Sequence, residues 1–153
     1  MLRKMINSIC LTLACMTGAH ATSPIGYWKA VDDQTGSPKA LVEIWQDEDK
    51  QLYGKILKIY NSDKKQELCS ACEGDLYNKP IVGMIIMEHL KQQTDQPELW
   101  GEGNILDPKN GKTYRCNIQL ADNQEKLIVR GYLGMPLFGR TQTWLKVKDV
   151  AQA

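Results

Sequence analysis

Residues 113–120 read T-Y-R-C-N-I-Q-L, with Tyr114, Cys116, Ile118 and Leu120 at alternate positions and Arg115, Asn117 and Gln119 between them. Alternation with period two predicts a half-buried β-strand, because successive side chains leave a pleated backbone on opposite faces. The strand is entered through Asp107-Pro108-Lys109-Asn110-Gly111, where proline presets φ for a turn and glycine accepts a left-handed backbone. It is left through Ala121-Asp122-Asn123-Gln124 into a strand at Lys126–Leu133, and Gly134-Met135-Pro136 turns the chain again into Leu137–Val147. With Glu98–Leu106 ahead of them, these segments form a meander of antiparallel neighbours, since short connections join adjacent strands.

The upstream half carries the same pattern less cleanly. Gly26–Asp32, Ala40–Gln46 and Gln51–Tyr60 are expected strands, and Gly54 inside the third suggests a bulge or a close backbone approach. The apolar run Ile81–Met87 is assigned to a strand by its length and β-branched content, followed by a polar loop at Lys91–Pro97. Between them lies Asn61–Pro80, a long polar segment of the kind that is often functional or specially tethered. About eight strands with short hairpins predict an all-β, up-and-down barrel, a closure that removes sheet edges and leaves room for one small ligand. A two-sheet β-sandwich is the alternative.

The amino terminus reads as an export leader. Arg3 and Lys4 precede an apolar run from Met5 to Met16, and Ala19-His20-Ala21 offers small residues at a cleavage site. The run is too short to span a bilayer as a helix. Residues 1–21 are therefore expected to be removed, leaving 22–153 as one domain in the periplasm or secreted. Lipidation at Cys15 is the rival, weakened by Thr12 where an aliphatic residue is usual. Of 19 basic and 18 acidic side chains, Arg3 and Lys4 belong to the leader, so the mature chain is one charge negative. Near-neutrality without a basic block argues against nucleic acid as a partner.

Cys69, Cys72 and Cys116 remain in the mature chain. In an oxidising compartment the Cys69-x-x-Cys72 pair is expected to form a disulfide, with Cys116 a buried core thiol. The rival readings are a redox-active pair and a zinc site drawing on Cys116 and His89. Glu73 and Asp75 disfavour the thiolate that redox chemistry needs, and no metal or other cofactor is expected. His89 is the sole mature histidine and no G-x-S-x-G elbow accompanies it, so no catalytic residue is assigned. Asp32-Asp33 and Asp47-Glu48-Asp49 read as turn carboxylates. The aromatic set Trp28, Trp45, Trp100, Tyr114, Tyr132, Phe138 and Trp144 divides between core packing and cavity lining. Trp45, Trp100, Tyr114, Arg130 and Tyr132 are the candidate ligand-binding residues.

Two resemblances extend this reading. Gly26-Tyr27-Trp28 resembles the glycine–any–tryptophan signature of lipocalins, which implies that Trp28 plugs one barrel end beneath an arginine of the last strand. Arg140 is the expected cap with Arg130 as the substitute, and Trp28, Arg140 and Trp144 are then structural closure residues. A closer match runs through nearly all of the mature chain. Tyr53-Gly54-Lys55-Ile56, Cys69-Ser70-Ala71-Cys72-Glu73-Gly74, Pro80-Ile81-Val82-Gly83, Ile105-Leu106-Asp107-Pro108, Gly111-Lys112-Thr113-Tyr114, Arg130-Gly131-Tyr132 and Phe138-Gly139-Arg140-Thr141-Gln142-Thr143-Trp144 occur in order. This pattern is similar to a family of small exported bacterial proteins defined as a domain of unknown function with a lipocalin-like fold. It implies an envelope location and a barrel, and carries no established activity. The leading expectation is a non-enzymatic protein holding a small apolar or amphipathic ligand. A protein-interaction module using residues 61–80 against another envelope protein, and a thiol-active protein using Cys69 and Cys72, are the alternatives.

Overall fold

The computed structural model describes residues 23–60 and 67–152. The expected leader, the alternative lipidation site Cys15 and residues 61–66 of the polar segment lie outside the described residues. Eight strands follow in chain order: β1 (Gly26–Val31), β2 (Pro38–Gln46), β3 (Leu52–Ile59), β4 (Ile85–Gln92), β5 (Leu99–Asp107), β6 (Lys112–Ala121), β7 (Lys126–Tyr132) and β8 (Gly139–Val147). Each pairs antiparallel with the next, and β8 pairs with β1, so the sheet is a closed barrel. Direct β1–β8 pairing, with Ala30 opposite Trp144, replaces the sandwich alternative.

Alternation sorts the side chains. In antiparallel ladders, residues directly opposite point to the same face. Ala30 faces Trp144, Trp144 faces Leu127 and Leu127 faces Leu120, all buried. The same logic puts Trp28 in register with Val42 and Lys146 on the inner face. Period two is broken where the ladders shift. The β3–β4 register slips on both sides of Gly54, as the glycine suggested. His89 and Glu102 have positive φ at 62° and 63°, bulge-like backbone that the strand pattern did not reveal.

One expected strand moves. β4 begins at Ile85 and runs to Gln92, whereas the apolar run suggested Ile81–Met87. Residues 81–84 form a turn closed by the Met84 amide on the Ile81 carbonyl, at 3.1 Å. Ile81 and Met84 are nonetheless buried, so these apolar residues anchor a loop rather than extend a strand. Composition cannot separate the two because both bury the same side chains.

The barrel has two unlike ends. At the base, the turns at 47–51 and 122–125 surround a layer containing Trp28, Leu52, Leu90, Leu120 and Leu127. Leu52 pairs with Leu90 across β3 and β4. The chain before β1 crosses this end, where the Trp28 indole N–H donates to the Pro24 carbonyl at 2.7 Å. At the other end lie the β1–β2 turn, the β5–β6 hairpin and the β7–β8 hairpin. The β1–β2 turn is organised by Asp32, which accepts from the Gln34 and Thr35 amides at 3.0 Å and pairs with Lys39 at 2.7 Å. The Lys39 ammonium, then those amides, hold the Asp32 carboxyl below the ordinary aspartate range.

Candidate functional site

The upper half of the barrel is hollow. A cavity of about 610 Å³ lies within β1, β2 and β4–β8 and reaches the mouth turns. Its inner wall includes Ala30, Val42, Ile86, Ile105, Val129 and Trp144, and its polar groups include Tyr114 and Gln142. The Trp144 indole donates to the Gln142 carboxamide oxygen at 3.2 Å, and the Asn110 carboxamide donates to the Tyr114 hydroxyl at 3.0 Å. Lys39, Lys109 and Arg140 stand at the rim with Asp107. The space exists because Ala30, Ala40 and Gly131 occupy inward positions beside it. Lower down, inward positions carry leucines and tryptophans and the interior fills. The signals available in the sequence were this step in inward side-chain size and part of the aromatic set, since Tyr114, Tyr132, Phe138 and Trp144 also line the cavity.

The expected ligand-binding residues divide on this geometry. Tyr114 and Tyr132 touch the cavity. Trp100 is buried in the core and does not line it. Trp45 lies on the outer face, stacked on Tyr53 with ring centroids 5.8 Å apart, and Tyr53 meets His89 at 5.2 Å. His89 Nδ1 also lies 2.8 Å from the Tyr53 hydroxyl and 3.1 Å from Gln51 Oε1, so this histidine belongs to an outer aromatic cluster. Arg130 is outside the cavity as well. It donates to the Pro136 and Leu137 carbonyls at 2.7 and 3.1 Å and to the Thr141 hydroxyl at 2.6 Å, fastening the β7–β8 hairpin.

The cation over Trp28 is Lys146, with its ammonium 4.5 Å from the ring centroid. It also donates to the Ile25 carbonyl at 3.0 Å. Burial at this end pushes the Lys146 ammonium below the ordinary lysine range. Neither expected arginine reaches Trp28. Arg140 sits at the opposite end, 3.3 Å from Asp33 across the rim. Register decides this: Trp28 pairs with Lys146, while Arg140 pairs with Gly131 six residues toward the mouth. Trp144 lies in the β8 wall at the floor of the cavity, opposite Ala30 of β1.

Cys69 and Cys72 are disulfide-bonded, with Cα atoms 5.3 Å apart. Both are buried, and Cys69 Sγ lies 3.2 Å from the Pro108 carbonyl oxygen of the β5–β6 hairpin. The described part of the polar segment is therefore docked on the barrel at its mouth end. Among the described residues no group of three or more His, Cys, Asp or Glu is arranged to hold a metal. Cys116 is a free thiol wholly buried in the wall, opposite Gly103 and Gly131. Burial pushes its pKa from 9.0 up to about 12. At pH 8 the thiolate fraction is then on the order of one in ten thousand. Alkylation by iodoacetamide is expected to leave the folded protein unmodified and to label Cys116 once it is unfolded; fast labelling of the folded protein would contradict this burial. The sign on stability follows. Above pH 9 the unfolded thiol ionises while the folded one keeps its proton, so this group costs stability as pH rises toward 12.

A closed antiparallel barrel with a tryptophan-plugged base, an open mouth and an apolar cavity defines a lipocalin-like protein. The chain belongs to a family described as uncharacterised proteins conserved in bacteria, DUF2147, whose family profile matches residues 26–146. Among solved structures it is similar to protein HP1028 from the human pathogen Helicobacter pylori, described as belonging to the lipocalin family. The TM-score is 0.69 and the identity 18%, over 83% of this chain and 84% of that one. At that identity the likeness concerns the fold. No curated protein matches the chain.

Proposed function

We propose that this is a non-enzymatic binding protein of the bacterial envelope that holds a small apolar or amphipathic molecule in the upper half of the barrel. The observation that carries the reading is the cavity itself, about 610 Å³ with a largely aliphatic wall and a few placed polar groups. Small-molecule sites have this size and this composition. Gln142 and Tyr114 offer hydrogen bonds inside, and the charged rim suits a polar head left at the mouth. The basic, apolar start of the chain and the Cys69–Cys72 bond support export to an oxidising compartment. None of the helices among the described residues is long and apolar enough to cross a membrane.

Protein purified without detergent is expected to release a co-purifying apolar or amphipathic molecule on organic extraction, identified by mass spectrometry. Ala30→Phe with Ala40→Phe places two rings in the cavity and is expected to lower occupancy about tenfold or more, the loss of roughly 1.4 kcal/mol of binding. No extractable molecule from the parent protein, or full occupancy of the doubly substituted barrel, would rule the reading out.

A further inference from the structure

Gln142 and Trp144 stand two residues apart on β8, so both side chains leave the strand on the inner face of the barrel. An indole N–H can only donate, so the atom that meets it at 3.2 Å is the Gln142 carboxamide oxygen. That contact orients the amide and turns Nε2, with its two hydrogens, away from Trp144. Among the described residues nothing accepts from those hydrogens. The nitrogen is open to the cavity, which Gln142 lines between the Trp144 floor and the Arg140 rim. The wall around it, with Ala30, Val42, Ile86 and Val129, offers no polar side chain. Nearer the mouth, the Tyr114 hydroxyl accepts from the Asn110 carboxamide at 3.0 Å and keeps its own hydrogen to donate. Both interior oxygens therefore already accept from the protein, and the groups left free are donors.

Charge narrows the class further. At the rim Lys39 pairs with Asp32 at 2.7 Å and Arg140 with Asp33 at 3.3 Å, while Asp107 shares the β5–β6 hairpin with Lys109. The docked disulfide segment adds Glu67, Glu73 and Asp75 against Lys79. No charged side chain lines the cavity below this balanced rim. An anion entering the interior would give up its water without meeting an unpaired cation. An uncharged oxygen acceptor loses less and finds the Gln142 donors waiting.

We propose that the cavity selects an uncharged, carbonyl-bearing ligand, an apolar ketone, ester or amide whose oxygen accepts from Gln142 Nε2. Trp144 is the positioning residue that orients the amide. An alcohol suits the site less well, because it brings a further hydrogen to a wall whose oxygens are already engaged. The selection rests on the binding function proposed above and adds the group that discriminates among apolar molecules.

Two uncharged naphthalene dyes separate this contact from the cavity itself. Prodan carries a ketone, and its emission moves to the red when a donor hydrogen-bonds that oxygen. N-phenyl-1-naphthylamine has no carbonyl. Both are expected to bind the delipidated mature protein. Gln142→Met keeps the side-chain volume and removes the donors. At a temperature where parent and variant are folded, it is expected to weaken prodan about tenfold and N-phenyl-1-naphthylamine less than about twofold. Bound prodan should also emit further to the blue in Gln142→Met than in the parent. Methyl decanoate should displace prodan at a concentration at least about tenfold below that needed for decanoate at pH 8. Prodan emission from the parent as blue as in a hydrocarbon solvent would overturn the carbonyl contact without recourse to a variant. An unchanged prodan affinity in Gln142→Met, or an equal loss of both dyes, would overturn it too. Decanoate displacing as well as its ester would overturn the uncharged class. In each of those cases N-phenyl-1-naphthylamine still binds the parent, so the binding function stands. Failure of both dyes to bind the parent would remove the binding function, and this selection with it.

Discussion

Trp28→Ala is expected to destabilise the protein by about 3–5 kcal/mol, the usual cost of truncating a fully enclosed aromatic side chain. Trp28 has no exposed surface. The substitution leaves a void in the base layer, strands the Pro24 carbonyl that the indole N–H satisfied at 2.7 Å, and removes the ring beneath the Lys146 ammonium. Burial already holds the Lys146 ammonium below the ordinary lysine range, and the substitution removes the ring it rests on. The melting temperature should fall by roughly 10–20 °C. Trp28→Phe is the informative comparison. It keeps most of the packing and loses the indole donor, and is expected to cost about 1–2 kcal/mol. Because the base and the mouth are opposite ends of the barrel, ligand occupancy at a temperature where both variants are folded should change little. Denaturant unfolding measures the first claim. A Trp28→Ala loss under about 1 kcal/mol would show that the base does not depend on this ring.

Gly111→Ala is expected to release the disulfide segment from the barrel. Gly111 closes the β5–β6 hairpin with φ of 72°. A methyl group there would overlap the Ala71 carbonyl and crowd the Cys72 amide nitrogen. Left-handed backbone at alanine costs about 1–2 kcal/mol. Forced overpacking adds about 1–3 kcal/mol, unless the neighbour moves away. The neighbour here is backbone held by a disulfide, so the strain is relieved by lifting the whole segment. Gly36→Ala is the matched control. Its φ is 69° but nothing lies within 4 Å of the added carbon, so it carries the backbone strain alone. Dithiothreitol should reduce Cys69–Cys72 faster in Gly111→Ala than in the parent or in Gly36→Ala. Hydrogen exchange at Asn78, whose amide donates to the Cys69 carbonyl at 2.9 Å, should rise in the same order. Equal reduction rates in all three would mean that the segment does not depend on this contact.

The two substitutions bracket the molecule. One acts on the filled end, where stability is concentrated in large enclosed side chains. The other acts at the open end, where a tethered segment rests on a turn. For the binding function proposed above, this division would keep the strands in register at the base while leaving the mouth open. Arg130 serves the rim in the same manner, tying the β7–β8 hairpin through three hydrogen bonds outside the cavity.

Much of the fold was legible because β-strands write a period-two pattern and hairpin turns demand particular residues. The second half of the chain shows both: alternation at Thr113–Leu120, proline and glycine at 107–111, and strands within a few residues of those expected. The Cys69–Cys72 pairing was legible from proximity and from the expectation of export. Ile81–Met87 was not, since an apolar run buries equally well as a strand or as the anchor of a loop. The bulges at His89 and Glu102 left no local mark, because neither residue demands positive φ.

By itself, then, the chain determined an all-β meander of about eight strands, since alternation, turn chemistry and strand count are local properties, while the choice of a closed barrel over a two-sheet sandwich rested on the pairing of β1 with β8. Only the tertiary structure decided what lies inside and what stands over what. Strand register brought Lys146 to Trp28 and carried Arg140 to the far rim. It turned Trp45 and Arg130 outward, and it gathered Ala30, Ala40 and Gly131 from three strands around one empty volume. A cavity is the sum of small side chains at distant positions on one inner face, and that sum is defined only once the barrel has closed.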